Sequence, residues 1–222
     1  MKRALIFDMD GTIVDNMAYH TASWVEFFRR RGRDIDEHEF FLRTAGRQGH
    51  EIMREYIRAD LSDTECAALN AEKEEVYREL YQPHRKTVAG FDALVAQAKS
   101  AGIILAVATS APPANIVFTL DGLDIRRHFD AVVGAADVKR GKPEPDVFLK
   151  AAEACGTAPE NCIVFEDAPL GVEAARRAGM PAIALTTTLP ADAFEGFDNL
   201  LATAADLTGI ALDALWVRGV ER

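Results

Sequence analysis

The sequence predicts an α/β protein: a doubly wound parallel sheet with an all-helical unit inserted after its first strand. Three observations carry this. The chain opens on a short apolar run, Arg3–Phe7. From about Val14 to Pro83 the apolar residues keep helical spacing and no strand pattern appears. After Pro83, short apolar runs alternate with amphipathic stretches. Alternation of that kind builds a parallel sheet wrapped by helices on both faces.

In chain order, Arg3–Phe7 reads as a buried strand that ends in Asp8-Met9-Asp10-Gly11-Thr12. A helix from about Met17 to Arg31 stops at Gly32. Ile52, Met53, Tyr56 and Ile57 form a second helical pattern. A third helix opens at Ser62 with Glu65 three residues on, a capping box that satisfies two orphan amides. Its stripe is Leu69, Lys73, Val76 and Leu80. Helix Phe91–Ser100 then precedes strand Ile103–Thr109, and a helix near Ala114–Leu120 precedes a strand near Ala131–Gly134. Helix Asp146–Cys155 leads to strand Ile163–Phe165, and helix Gly171–Ala178 to strand Ala182–Leu185. Beyond Thr186 only a helix near Leu207–Trp216 is expected. The division that follows is 1–14 with 84–222 as the α/β core and 15–83 as the helical insert.

Composition narrows the function classes. The 222 residues are 49% hydrophobic and 27% charged, with a net charge of −10. Folding at this size hides roughly 70% of the unfolded chain's surface, enough for a substantial core. The acidic balance argues against nucleic acid and against anionic lipid as partners, because both need a Lys/Arg face. No apolar stretch approaches the ~18 residues of a membrane span, and Asp8 and Asp10 interrupt the N-terminal run before a signal-peptide core forms. Three sparse cysteines, Cys66, Cys155 and Cys162, without CxxC spacing fit a reducing compartment. A cytoplasmic monomer acting on a small molecule is the expectation.

Candidate functional residues gather at predicted strand ends. Asp8 and Asp10 follow the first strand, Thr109 and Ser110 another, and Glu166 and Asp167 a third. Lys142 sits in a loop before a helix. Ligands of a doubly wound sheet bind beyond the carboxyl ends of its strands, so these residues can converge. Alone, Asp-x-Asp-Gly reads as a turn, Gly-Lys-Pro as a loop and Glu-Asp as a cap; the ordered set is far more specific. Clustered carboxylates repel one another unless a cation joins them. Their hard oxygens suit Mg²⁺, which keeps waters that a phosphate can replace. A carboxylate beside such a cation stays ionised and can attack phosphorus. A second one two residues on can give and take a proton. Lys142 would offset charge, and Thr109 would hydrogen-bond a phosphate oxygen.

FDMDGTIVDN, the strand ending in Thr109, GKPEPDVFLKAAEACG and CIVFEDAPLGVEAARRAGM together resemble the four motifs of the haloacid dehalogenase superfamily. The resemblance spans nearly the whole chain, and the insert is similar to that superfamily's helical C1-type cap. The nearest likeness is to the β-phosphoglucomutase-like group, which also holds many sugar-phosphate phosphatases. The resemblance implies that Asp8 becomes an aspartyl phosphate and that Asp10 is the general acid/base, binding Mg²⁺ through its backbone carbonyl. It implies Asp167 as a Mg²⁺ ligand and Glu166 as ligand or support, with Thr109 and Lys142 holding the transferring phosphate. True haloacid dehalogenases resemble the same core but lack an equivalent of Asp10.

The likeness extends to substrate-facing positions. His20 in DNMAYHTASW matches a histidine that contacts the acid/base aspartate; it also shares a helix face with Trp24 and Phe28, as a packing residue would. Lys73 matches a cap lysine, where a snorkelling side chain is the plain alternative. Arg47 follows Gly46 directly, whereas the mutases place their phosphate-gripping arginine three residues after the glycine, where Gly49 stands here. The loop Ser110-Ala111-Pro112-Pro113-Ala114-Asn115 departs from the mutase loop as well; Asn115 reads as a phosphate contact or a helix cap. The departures at Arg47 and the proline loop favour a Mg²⁺-dependent phosphatase of a small phosphorylated metabolite, a sugar phosphate. The alternative is a β-phosphoglucomutase interconverting glucose 1-phosphate and glucose 6-phosphate. A phosphoryl-binding receiver shares the acidic pocket but would need neither a seventy-residue insert nor Asp10.

Overall fold

The computed structural model describes residues 2–44 and 49–216. The chain divides into two compact units, Met1–Asp15 with Lys86–Arg222 and, between them in sequence, Asn16–Arg85.

The first unit is built on six parallel strands: β1 (Ala4–Phe7), β2 (Ile104–Ala108), β3 (Ala131–Val133), β4 (Cys162–Glu166), β5 (Ala182–Leu185) and β6 (Leu200–Ala204). Their order is β3-β2-β1-β4-β5-β6, and every neighbouring pair is parallel. Alternate residues of a strand face opposite ways. Ala4 and Ile6 join Ala106, Ala108, Val164 and Ala182 in a cluster completed by α7 (Asp146–Cys155) and α8 (Pro169–Arg177), through Phe148, Ala151, Val172 and Ala175. Small residues on both sides let these helices lie close to the strands. Phe7 points the other way, stacked on Phe165 at 4.7 Å between centroids and edge-on to Phe91 of α5 (Phe91–Ser100) at 6.4 Å. Both faces of β1 are therefore buried, which explains its unbroken apolar run.

Among the described residues the insert holds four α-helices: α1 (Met17–Arg29), α2 (Glu37–Thr44), α3 (Gly49–Tyr56) and α4 (Asp63–Tyr81). They enclose Phe27, Phe28, Phe40, Ile52, Met53, Leu61 and Cys66, with Trp24 against them. The capping box is formed: Glu65 N donates to Ser62 Oγ at 3.2 Å, and Ser62 N donates to Glu65 Oε2 at 2.8 Å. Within the core, Val14 and Thr87 form an antiparallel bridge, and Val88 N donates to Ile13 O at 2.8 Å. The chain thus leaves the core and returns to it along adjacent tracks.

The structure corrects several expected elements. Helix α2 was not expected; it opens on the exposed, polar Glu37, His38 and Glu39 before burying Phe40 and Thr44. Strand β6 was not expected either; it is an edge strand whose apolar run Leu200–Ala202 is short and at most partly buried. The helix expected near Ala114–Leu120 is a single turn, α6 (Pro113–Ile116), continuing as a π turn at Val117–Asp121. The C-terminal helix shrinks to α9 (Leu212–Leu215), and α1 ends at Arg29, two residues early. On α4 the buried face runs through Cys66, Lys73, Val76, Tyr77 and Tyr81, leaving Leu69 and Leu80 only half-buried. Among the described residues no helix is long and apolar enough to cross a membrane.

Candidate active site

The strand order reverses between β1 and β4, and a crevice opens beyond the carboxyl ends of such a pair. Asp8 stands one residue past β1, its N–H donating to Phe165 O of β4 at 2.9 Å. Glu166 ends β4 and Asp167 follows it. The paired strands therefore deliver three carboxylates to one place, all nearly closed to solvent. Asp10 is half-buried on the same loop, its backbone bridged to Val14.

Lys142 comes in from the loop before α7, ahead of a cis Lys142–Pro143 bond. Its ammonium donates to Asp8 Oδ1, to Glu166 Oε1 at 2.6 Å and to Ala108 O at 3.3 Å, and lies 4.9 Å from the centroid of the Phe148 ring. Glu166 is held on its other oxygen, where Oε2 accepts the N–H groups of Asp167 and Ala168, both at 2.9 Å, just before α8. Gly171 makes room for it, since a Cβ there would stand 1.8 Å from Glu166 Oε1. With Oε2 filled by two backbone N–H groups and Oε1 paired to the Lys142 ammonium, Glu166 has the geometry of a support.

Thr109, just past β2, is buried; its N–H donates to Val133 O at 3.0 Å and its hydroxyl accepts from Ala111 N at 3.1 Å. Ser110 is exposed. Asn115 is buried inside α6, with Pro112 in the cap position, so it does not cap that helix. Thr12, Thr187 and Thr188 also meet this cluster, and sequence reasoning passed over them. Thr12 Oγ1 donates to Asp167 Oδ1 at 3.4 Å, Thr188 Oγ1 to Asp167 Oδ2, and Thr187 Oγ1 to the Gly11 carbonyl. The signals were the place of Thr12 in the run Asp8–Thr12 and of Thr187 and Thr188 just beyond the end of β5.

One ammonium faces three buried carboxylates, and the electrostatics reflect that. Burial raises the Asp8 carboxyl well above its usual value; Lys142 pulls it down, while Glu166, Asp167 and Asp10 push it further up. Burial likewise raises Asp167 to about 7, aided by Glu166 and opposed by the Thr188 hydroxyl and Lys142. Burial works against the Lys142 ammonium, but Asp8 and Glu166 outweigh it and hold Lys142 above the usual lysine value. The pocket is short of positive charge and lined by hard oxygen donors, which is the chemistry of a Mg²⁺ site. Among the described residues no three His, Cys, Asp or Glu side chains form a metal-holding group. A site of two side chains, Asp8 and Asp167, plus the Asp10 carbonyl does not require a third, and the residues fit the ion.

In the helical unit, the His20 ring stacks on Tyr77 at 3.8 Å and its Nδ1 lies 3.4 Å from Lys73 Nζ. Lys73 does not snorkel. It is 3% exposed, donates to Glu74 Oε1 at 2.8 Å, and sits 5.1 Å from the Trp24 ring centroid. Arg47 lies outside the described residues.

Comparison with known proteins gives the family and the fold. The profile of the haloacid dehalogenase-like hydrolases matches residues 2–179. The chain is 34% identical to validoxylamine A 7′-phosphate phosphatase of Streptomyces hygroscopicus subsp. limoneus, over 95% of this chain and 96% of that protein. It is 36% identical to a fructose-1-phosphate phosphatase of Escherichia coli (strain K12), over 81% and 94%. The crystal structure of a family IA, variant 3 haloacid dehalogenase hydrolase from Entamoeba histolytica superposes with a TM-score of 0.90 at 25% identity, covering 98% of each chain. A parallel core with an inserted helical cap and acids at the strand ends defines a class of hydrolase. This chain belongs to the haloacid dehalogenase-like hydrolases, with a C1-type cap.

Proposed function

We propose that the protein is a Mg²⁺-dependent phosphatase of a small phosphorylated metabolite, a sugar phosphate, acting through a phosphorylated Asp8. The observation that carries this is the Asp8–Lys142–Glu166 junction beside Asp167, at the point where the strand order reverses. The two relatives named above, both phosphatases, support the reaction class.

Asp8 and Asp167, with the Asp10 carbonyl, would hold the cation. When bound, Mg²⁺ offsets the charge of carboxylate and phosphate where they meet. An Asp8 carboxylate oxygen attacks phosphorus, the bond from phosphorus to the ester oxygen breaks, and Asp10 protonates the departing oxygen. Asp10 then takes a proton from water, the water oxygen attacks phosphorus, and inorganic phosphate leaves with Asp8 regenerated. Lys142 and Thr109 hold the phosphoryl oxygens, joined by Ser110 from the loop after β2 and Asn115 from α6. Glu166 keeps Lys142 in place. Most of the catalysis is alignment and charge stabilisation.

The test is phosphorus NMR of the purified protein with Mg²⁺ and a pool of sugar phosphates that includes β-glucose 1-phosphate and a trace of glucose 1,6-bisphosphate. The expected result is growth of inorganic phosphate, absent from an Asp8→Asn control. Conversion to glucose 6-phosphate without release of phosphate would overturn the reading in favour of a mutase.

A further inference from the structure

The loop after β5 carries two adjacent threonines whose hydroxyls reach two different parts of the acidic pocket. Thr187 Oγ1 donates to the Gly11 carbonyl, on the loop that bears Asp8 and Asp10. Thr188 Oγ1 donates to Asp167 Oδ2, on the loop after β4. Gly11 lies where the two loops meet. Its φ is +75°, and a Cβ on it would stand 2.0 Å from Asp167 Oδ2 and 2.8 Å from Thr188 Oγ1. The Asp167 carboxylate is thus pressed against bare backbone on one side and hydrogen-bonded by the hydroxyls of Thr12, at 3.4 Å, and Thr188.

We propose that Thr188 is a positioning residue for the cation site, its hydroxyl setting the orientation in which Asp167 meets a divalent ion while Thr187 anchors the loop to Gly11. This rests on the reading that Asp167 holds the cation. Each carboxylate oxygen has two lone-pair directions, so a bond from Thr188 to Oδ2 still leaves that oxygen able to accept a cation. Without the hydroxyl, Asp167 keeps its charge and burial but loses a bond that defines its rotation. Partners of this kind change metal affinity by about 10–100-fold. They do so without touching either the metal or the substrate, and nothing in the chain's motifs marks Thr188 for the task.

The experiment is calorimetric titration of the full-length protein with MgCl₂ in the absence of substrate, comparing wild type, Thr188→Val, Thr188→Ser and Asp167→Asn. Valine keeps the branched shape and removes the hydroxyl; serine keeps the hydroxyl and removes the methyl. The expected result is a loss of roughly 10–100-fold in Mg²⁺ affinity for Thr188→Val, with Thr188→Ser close to wild type. Wild-type affinity in Thr188→Val, where Asp167→Asn has lost binding, overturns the role of Thr188 and leaves the cation site standing. Equal losses in the valine and serine variants also overturn it, since packing rather than the hydroxyl would then matter. A wild-type protein that binds no Mg²⁺ overturns both this inference and the reading beneath it. Should Thr188→Val not fold by circular dichroism, Thr188→Ala is titrated in its place under the same criteria.

Discussion

Asp8 and Asp10 differ by two residues and by environment. Asp8 is buried and joined to Lys142, whereas Asp10 is half-buried. Asp10→Asn keeps the backbone carbonyl and removes the proposed proton donor. Its kcat should fall by about 10²–10⁴-fold in a continuous phosphate-release assay, with binding of the cation retained. A second residue-scale expectation concerns Lys73 and Glu74, a charged pair enclosed within the cap. Removing Glu74 takes a buried counter-charge from the Lys73 ammonium, at a cost of about 3–5 kcal/mol. Glu74→Ala should therefore lower the melting temperature by roughly 6–20 °C, taking about 2–4 °C per kcal/mol at this size. Lys73→Met with Glu74→Leu, which removes both charges, should recover most of the loss in the same melting experiment.

Among the elements, α4 begins on the capping box of Ser62 and Glu65. Ser62→Ala should destabilise by about 1 kcal/mol in urea denaturation, since it uncovers a helix amide. The Ser62 hydroxyl, its backbone N–H and then Arg58 lower the Glu65 carboxyl from 4.5 to about 2. A carboxyl lowered in the folded state adds stability above its unfolded value and loses that contribution as pH falls through its folded one. The penalty of Glu65→Gln should hence be largest near neutrality and shrink as pH falls from 4.5 toward 2. What was legible at this scale follows burial. Helix α7 and strand β5 match the sequence reading residue for residue, because each has a one-sided or fully buried apolar pattern between clear stops. Strand β6 escaped because its apolar run is short and only partly buried, and helix α2 because it opens on three exposed polar residues. The strand-end acids were legible because each adjoins a readable strand. The threonines on Asp167 were not, because they depend on which distant segments fold together, and the adjacent Lys73–Glu74 pair reads in sequence as an ordinary solvated helix face rather than a buried one.

For the molecule as a whole, the acidic pocket leaves charge unbalanced that a divalent ion would balance. A ligand that binds only the folded state at 100 times its dissociation constant stabilises by about 2.7 kcal/mol. Saturating Mg²⁺ should raise the melting temperature by about 5–10 °C over the protein in EDTA, and Asp167→Asn should abolish the shift. The Val14–Thr87 bridge has a consequence of another kind. It closes the neck from which the cap emerges, with Val88 and Ile13 joined beside it. Neighbouring strands lie about 5 Å apart, a gap that two or three residues can span. The cap is therefore a cassette on a closed clasp. A chain in which a short Gly-Ser turn replaces residues 16–85 should retain the sheet and the Mg²⁺-dependent melting shift. Caps of other sequences, grafted at the same clasp, would offer one phosphoryl-transfer core to a library of substrates.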